Sequence, residues 1–234
     1  MPSNPILSAT AQLTSADGHS FDVFEAVQKT GKPKAGLIVV QEVFGLTDYI
    51  RNVSEQLAHV GYQVIAPALF DRVQPEAIFP YDEDGLKKGM EIYAQLDQKK
   101  ALEDIEACIN ALRHENPERP IGIIGFCLGG SLAWKAAQSL KVDASVAWYG
   151  GEIAQNTSPE PRCPVQLHFG DNDAYVSEAD LDMILDAYPD IPLYVYKNAE
   201  HGFGCTDRAS FNAEASELAW ERTLAFFSEK LEAH

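Results

Sequence analysis

Two hydrophobic periods share this chain. Ala11-Gln12-Leu13-Thr14 and Ser20-Phe21-Asp22-Val23-Phe24 alternate polar and apolar positions around a turn containing Asp17-Gly18. That pattern predicts an antiparallel hairpin within residues 1–30, closed by Gly31-Lys32-Pro33. Leu37-Ile38-Val39-Val40 is then apolar without a break, as a strand buried on both faces requires. Residues 48–59 have helical spacing and residues 62–69 read as a strand. Helical segments over 86–96 and 99–113 follow the loop at 80–84. Further strands are predicted at 121–126, 144–149, 165–169 and 193–196, with helices at 129–140, 181–188 and 213–231. Strands alternating with helices predict an α/β fold: a mainly parallel central sheet with helices on both faces. No repeat or long linker interrupts it, so residues 1–234 read as one domain with the hairpin packed on it. Ligands of such sheets bind beyond the carboxyl ends of the strands, where candidate residues are to be sought.

Charge narrows the partners. Asp and Glu number 35 against 18 Lys and Arg, a net charge of -17. Such a surface repels phosphate backbones and anionic headgroups, which excludes nucleic acid and membrane as expected partners. The acids are spread over predicted helices, as in a solvated surface. No apolar stretch approaches the roughly 20 residues that cross a bilayer. The N-terminal segment lacks the basic and apolar regions of a secretory signal, so a cytoplasmic protein is expected, monomeric or a small homo-oligomer. Cys108, Cys127, Cys163 and Cys205 form no C-x-x-C pair and no zinc-ligand spacing with histidine, which predicts four reduced thiols and no metal site.

One thiol stands out. Gly125-Phe126-Cys127-Leu128-Gly129 joins a predicted strand to a predicted helix, in the pattern of a nucleophile elbow with sulfur in place of a hydroxyl. Glycines on both sides relieve crowding around a strained nucleophile. The helix start favours a thiolate, and the N–H of Leu128 is placed to donate to an oxyanion. The competing reading is a packed thiol at a tight turn. A phosphate loop fits poorly, because G-x-G-x-x-G and G-K-[ST] are both absent.

A sulfur nucleophile needs a histidine, and the histidine an orienting acid, in the chain order nucleophile, acid, histidine. Gly170-Asp171-Asn172-Asp173 follows one predicted strand. Asp173 is favoured as the acid, with Asp171 as the alternative that shapes the turn. Asn198-Ala199-Glu200-His201-Gly202 follows the last strand and offers His201 as the base. His19, His59, His114, His168 and His234 sit in a hairpin, helices, a strand and the terminus, and suit the role less well.

GFCLGG, GDNDAYV and EHGF together resemble the dienelactone hydrolase family of α/β-hydrolases, over most of the chain from Leu37 onward. The resemblance implies the α/β-hydrolase fold and hydrolysis of cyclic enol-lactones and related esters, of the carboxymethylenebutenolidase type. It implies a triad of Cys127, His201 and Asp173 acting through a thioester, with neither metal nor organic cofactor. Gln41-Glu42-Val43-Phe44-Gly45 resembles the family's Q-E-x-F-G. It implies that Glu42 touches the thiol and controls its ionisation, and that the N–H of Val43 is the second oxyanion donor. Pro67-Ala68-Leu69-Phe70-Asp71-Arg72 resembles the stretch that presents an arginine to a substrate carboxylate, which makes Arg72 the implied anchor; a surface arginine paired with Asp71 is the alternative. Tyr149-Gly150-Gly151 resembles a family pocket wall. One position departs from the pattern. A second arginine is expected four residues past the histidine, where this chain has Cys205, a pocket-lining residue on this reading. Arg208 lies nearby as a substitute. A broad carboxylesterase or thioesterase with the same triad, and a non-catalytic small-molecule binder, are the alternatives.

Overall fold

The computed structural model describes residues 4–232; the outermost positions of the predicted domain, His234 among them, lie outside the described residues. Its strands are β1 (Ile6–Thr14), β2 (Ser20–Gln28), β3 (Gly36–Val40), β4 (Gln63–Pro67), β5 (Ile121–Phe126), β6 (Ala144–Trp148), β7 (Val165–Gly170) and β8 (Leu193–Tyr196). They form one sheet in the order β1-β2-β4-β3-β5-β6-β7-β8. β1 pairs antiparallel with β2, and β2 antiparallel with β4. Every pairing from β4 to β8 is parallel. This is the mainly parallel α/β-hydrolase architecture that the sequence predicts.

The helices are α1 (Asp48–His59), α2 (Glu83–Tyr93), α3 (Gln98–Glu115), α4 (Leu128–Ser139), α5 (Glu178–Ala187) and α6 (Ala213–Leu231). β3 explains why both faces need covering. Leu37 and Val39 enter one core with residues of α1 and α6, while Ile38 and Val40 enter another with residues of α3 and α4. Successive side chains on a strand point to opposite faces, so an unbroken apolar run has to be buried twice.

Two helices begin three residues earlier than their apolar spacing predicts, because polar caps set their starts. Asp82 accepts from the N–H of Gly85 and starts α2 at Glu83. Ser177 and Asp180 form a reciprocal capping box and start α5 at Glu178. Among the described residues no helix is long and apolar enough to cross a membrane, and all four cysteines are free thiols.

His168 lies on β7, fully buried. Its ring contacts the Tyr196 hydroxyl at 2.7 Å, the Gln166 amide oxygen at 2.9 Å and the Thr223 hydroxyl at 3.2 Å. Burial, reinforced by the charge of Arg222, drives its pKa from 6.5 to about 3. Between those values the unfolded chain binds a proton that the native state does not, so stability falls as pH falls. His168 alone is expected to remove about 2 kcal/mol between pH 7 and pH 5. Urea denaturation at the two pH values checks this: His168→Gln should flatten the acid limb, and an equally steep limb in the variant would place its origin elsewhere.

Candidate active site

The carboxyl ends of the parallel strands gather the chemistry. Gln41 to Phe44 follow β3, Cys127 follows β5, Tyr149 to Glu152 follow β6, Asp173 follows β7 and His201 follows β8. β5 lies next to β3, and the chain leaves this pair in opposite directions, to β4 on one side and β6 on the other. A crevice opens at such a switch point.

Cys127 caps α4 with φ 57 and ψ -115, a left-handed backbone that a side chain adopts only under constraint. Its N–H donates to the carbonyl of Trp148 at 3.0 Å and its carbonyl accepts from Ser131 at 3.2 Å. The two glycines of the elbow are sterically compelled. A Cβ on Gly125 would lie 1.8 Å from the carbonyl oxygen of Gly129. One on Gly129 would lie 2.2 Å from that of Val40. The turn therefore brings α4 against the end of β3 and lifts the sulfur into the crevice.

The imidazole of His201 is buried, and its Nδ1 contacts Asp173 at 2.9 Å and 3.1 Å to the two carboxylate oxygens. Cys127 and the same ring line one cavity. Burial opposes a charge on His201, but the Cys127 sulfur and the Asp173 carboxylate outweigh it and lift its pKa to about 10. Asp173 is itself fixed by the N–H of Tyr175 at 2.8 Å. Asp171 accepts from the N–H of Ala199 and shapes the histidine loop without meeting the ring. Tyr149 and Tyr175 stand edge-on to His201, with centroids 5.1 and 4.8 Å away.

The cavity beside Cys127 has a volume of about 230 Å³. Val43 and Leu128 both line it, and among the described residues neither backbone N–H is paired with a protein acceptor. Phe44, Leu86 and Met90 give it an apolar wall. Helix α2 can pack closely on the loop after β3 because Gly89 has no Cβ; one there would sit 2.0 Å from the carbonyl oxygen of Val43.

Arg208 also lines the cavity. Its Nη1 donates to Glu42 at 3.1 Å and its guanidinium lies over Phe44 at 5.4 Å. Gly202, at φ 80, passes directly beneath it; a Cβ there would be 2.4 Å from Nη1. Glu42 is fully buried, and among the described residues its second oxygen has no hydrogen-bond partner.

Three expectations need correcting. Arg72 does not reach the cavity. It lies at the end of a short 3-10 helix, Leu69–Arg72, where Asp104 and Asp17 hold its guanidinium from two sides. It borders a separate surface depression that shares no lining residue with the Cys127 cavity. Nor does it pair with Asp71, whose carboxylate caps the N–H groups of Asp22 and Glu76. Of Tyr149-Gly150-Gly151, Gly151 lines the cavity, whereas Tyr149 is fully buried and packs edge-on against His201. Cys205 is likewise buried and outside the cavity lining, and burial followed by the charge of Glu42 pushes its thiol pKa up. Sequence inspection missed Glu152, Ser131 and Tyr93, all of which line the cavity.

Fold and site together define an α/β-hydrolase with a cysteine at the elbow. A sequence model of the dienelactone hydrolase family matches residues 21–231. The chain belongs to that family and is a lactone or ester hydrolase. It is 30% identical to the carboxymethylenebutenolidase of Pseudomonas putida over 95% of this chain and 97% of that one. It is 34% identical to a Synechocystis protein provisionally named carboxymethylenebutenolidase, over 83% of this chain and 86% of that one. A crystal structure from Klebsiella pneumoniae, of a protein provisionally named dienelactone hydrolase, superposes with a TM-score of 0.85 at 28% identity, covering 97% of this chain and all of the other.

Proposed function

We propose that the chain, working as one α/β-hydrolase domain in the cytoplasm, opens small carboxylate-bearing lactones through a Cys127-His201-Asp173 triad. The observation that carries this is geometric: Cys127 on its strained elbow and His201, held by Asp173 at 2.9 Å, line one cavity. An imidazolium that keeps its proton at neutral pH stabilises a thiolate partner. The thiolate attacks the lactone carbonyl, and the N–H groups of Val43 and Leu128 receive the oxyanion. As the C–O bond breaks, the leaving oxygen takes the proton from His201 and a thioester remains on Cys127. Water then gives a proton to His201, attacks the thioester and releases the thiolate. The ring oxygen stays tethered throughout, so a single hydroxy- or keto-acid leaves.

Arg208 anchors the substrate carboxylate in this scheme. Among the described residues it is the one Lys or Arg lining the cavity. A carboxylate docking there competes with Glu42 for the guanidinium and frees Glu42 to act on the thiol. The apolar wall of Phe44, Leu86 and Met90 favours a second reading, a carboxylesterase of broad range.

Rates on a carboxylate-bearing enol-lactone, its methyl ester and p-nitrophenyl acetate separate the two. The free carboxylate should raise kcat/KM at least tenfold over the methyl ester, and Arg208→Met should erase that advantage. Equal rates on all three would favour the broad esterase. Acid quenching during turnover should leave an acyl mass on the Cys127 peptide, and its absence under burst conditions would remove the thioester from the scheme.

A further inference from the structure

The cavity wall carries a second polar cluster that the hydrolytic scheme does not use. Glu152 follows β6 and lines the cavity together with Cys127 and His201. Its N–H donates to the Ser131 hydroxyl at 3.1 Å. The Gln98 side-chain N–H group donates to both Glu152 oxygens, at 3.0 and 3.3 Å, and Lys135 bonds to Oε2. Gln98 also donates to the Tyr93 hydroxyl at 3.1 Å, which leaves the O–H of Tyr93 free to donate in turn.

An ion pair that merely ties α4 to the loop after β6 has no need to face a cavity. Here the two partners are disposed differently. The Lys135 side chain is 18% exposed and outside the cavity lining, whereas the Glu152 side chain is 32% exposed and belongs to the lining. A bound molecule therefore meets the carboxylate and not the ammonium. Glu152 still has acceptor capacity, since a carboxylate offers about four lone-pair sites. Oε1 receives one hydrogen bond, from Gln98. Half-burial raises its pKa, in keeping with a carboxylate drawn partly out of water. The cavity is thus bipolar: Arg208 supplies a cation, Glu152 an anion, and the thiol lies among residues bordering both.

We propose that Glu152 determines specificity: it receives a hydroxyl or ammonium group on the part of the substrate remote from the Arg208-bound carboxylate, and it rejects a second carboxylate there. Like charges brought together in a partly desolvated cavity repel, while a donor facing a carboxylate forms a charge-assisted hydrogen bond. The proposal rests on the lactone-hydrolase reading above and deepens it.

The test uses enol-lactones that share one carboxylate and carry methyl, hydroxymethyl, aminomethyl or a second carboxylate at the far end. Wild-type kcat/KM should favour hydroxymethyl and aminomethyl over the second carboxylate by at least tenfold. Glu152→Gln should reduce that ratio about tenfold, because the amide keeps the shape but not the charge. The wild-type series alone already decides, should loss of the Lys135 partner unfold the variant. A flat wild-type series, or an unchanged ratio in a folded Glu152→Gln, overturns the assignment. Calorimetric binding of the same four compounds to Cys127→Ala separates the two levels. Ordered affinities without any wild-type turnover keep Glu152 as the selector and overturn the hydrolase scheme. Turnover with uniform affinities and rates keeps the scheme and overturns Glu152.

Discussion

Cys127→Ala is expected to lower kcat on any lactone or ester substrate by about four to six powers of ten, with Tm nearly unchanged. The size of the loss follows from what the sulfur does. In the proposed scheme it supplies the attacking electron pair, and with Asp173 it favours the charged form of His201 against burial. Removing it lets the imidazole titrate closer to its ordinary value. On the proposed scheme the variant loses both the nucleophile and the poised acid, leaving the oxyanion donors and binding alone. The fold should tolerate the change, because alanine at φ 57 carries no more backbone strain than cysteine and the side chain sits at a cavity rather than in a packed core. NMR titration of His201 gives a readout that a structural defect would not mimic: its pKa should fall in Cys127→Ala while His168 stays neutral. Full esterase activity in that variant would end the nucleophile assignment. The acid follows the same logic. Asp173→Asn should cost about two to four powers of ten in kcat. Asp171→Asn should act chiefly on stability, since Asp171 holds a backbone N–H of the histidine loop and not the ring.

What could be read from the chain divides along a physical line. Contributions that are local in sequence were legible. β5 and α6 declared their bounds through apolar spacing, and the elbow declared itself through glycines whose need is steric and confined to five positions. The order of Cys127, Asp173 and His201 was legible because each ends a strand of a parallel sheet, and such ends converge. Contributions fixed by distant partners were not. Nothing near Arg72 in the sequence indicates that Asp104, 32 residues on, is fully buried and in need of a cation. Tyr149 reads as a strand-end pocket residue until the positions of His201 and Phe203 bury it. Glu152 carries no motif at all. Its interest arises from the meeting of α3, α4 and the loop after β6, a tertiary fact that periodicity does not encode.

Arg72→Met is expected to destabilise the protein by about 3–5 kcal/mol while leaving turnover of a carboxylate-bearing lactone within twofold of wild type at 25 °C. Asp104 is the reason for the stability loss. It is fully buried, and Arg72 grips it through Nε at 2.6 Å and Nη2 at 2.8 Å, with Ser15 adding a further hydrogen bond. Methionine replaces the volume but strands that carboxylate without its cation. For a chain of this length each kcal/mol moves Tm by roughly 2–4 °C, so a drop near 10 °C is expected. Asp17 sits on the outer side of the same guanidinium, which holds its carboxyl down at about 2. It is solvated, and Asp17→Asn should cost little. The network joins the hairpin turn, the end of β4 and α3, which explains a structural debt but no catalytic one. A double variant, Arg72→Met with Asp104→Leu, should recover most of the loss, because an apolar pair of similar volume leaves no charge to desolvate. The same kinetics judge the anchor role that the resemblance implied for Arg72. A tenfold rise in KM for the carboxylate-bearing lactone, with neutral esters spared, would return Arg72 to the substrate, whereas the proposed anchor predicts that effect for Arg208→Met.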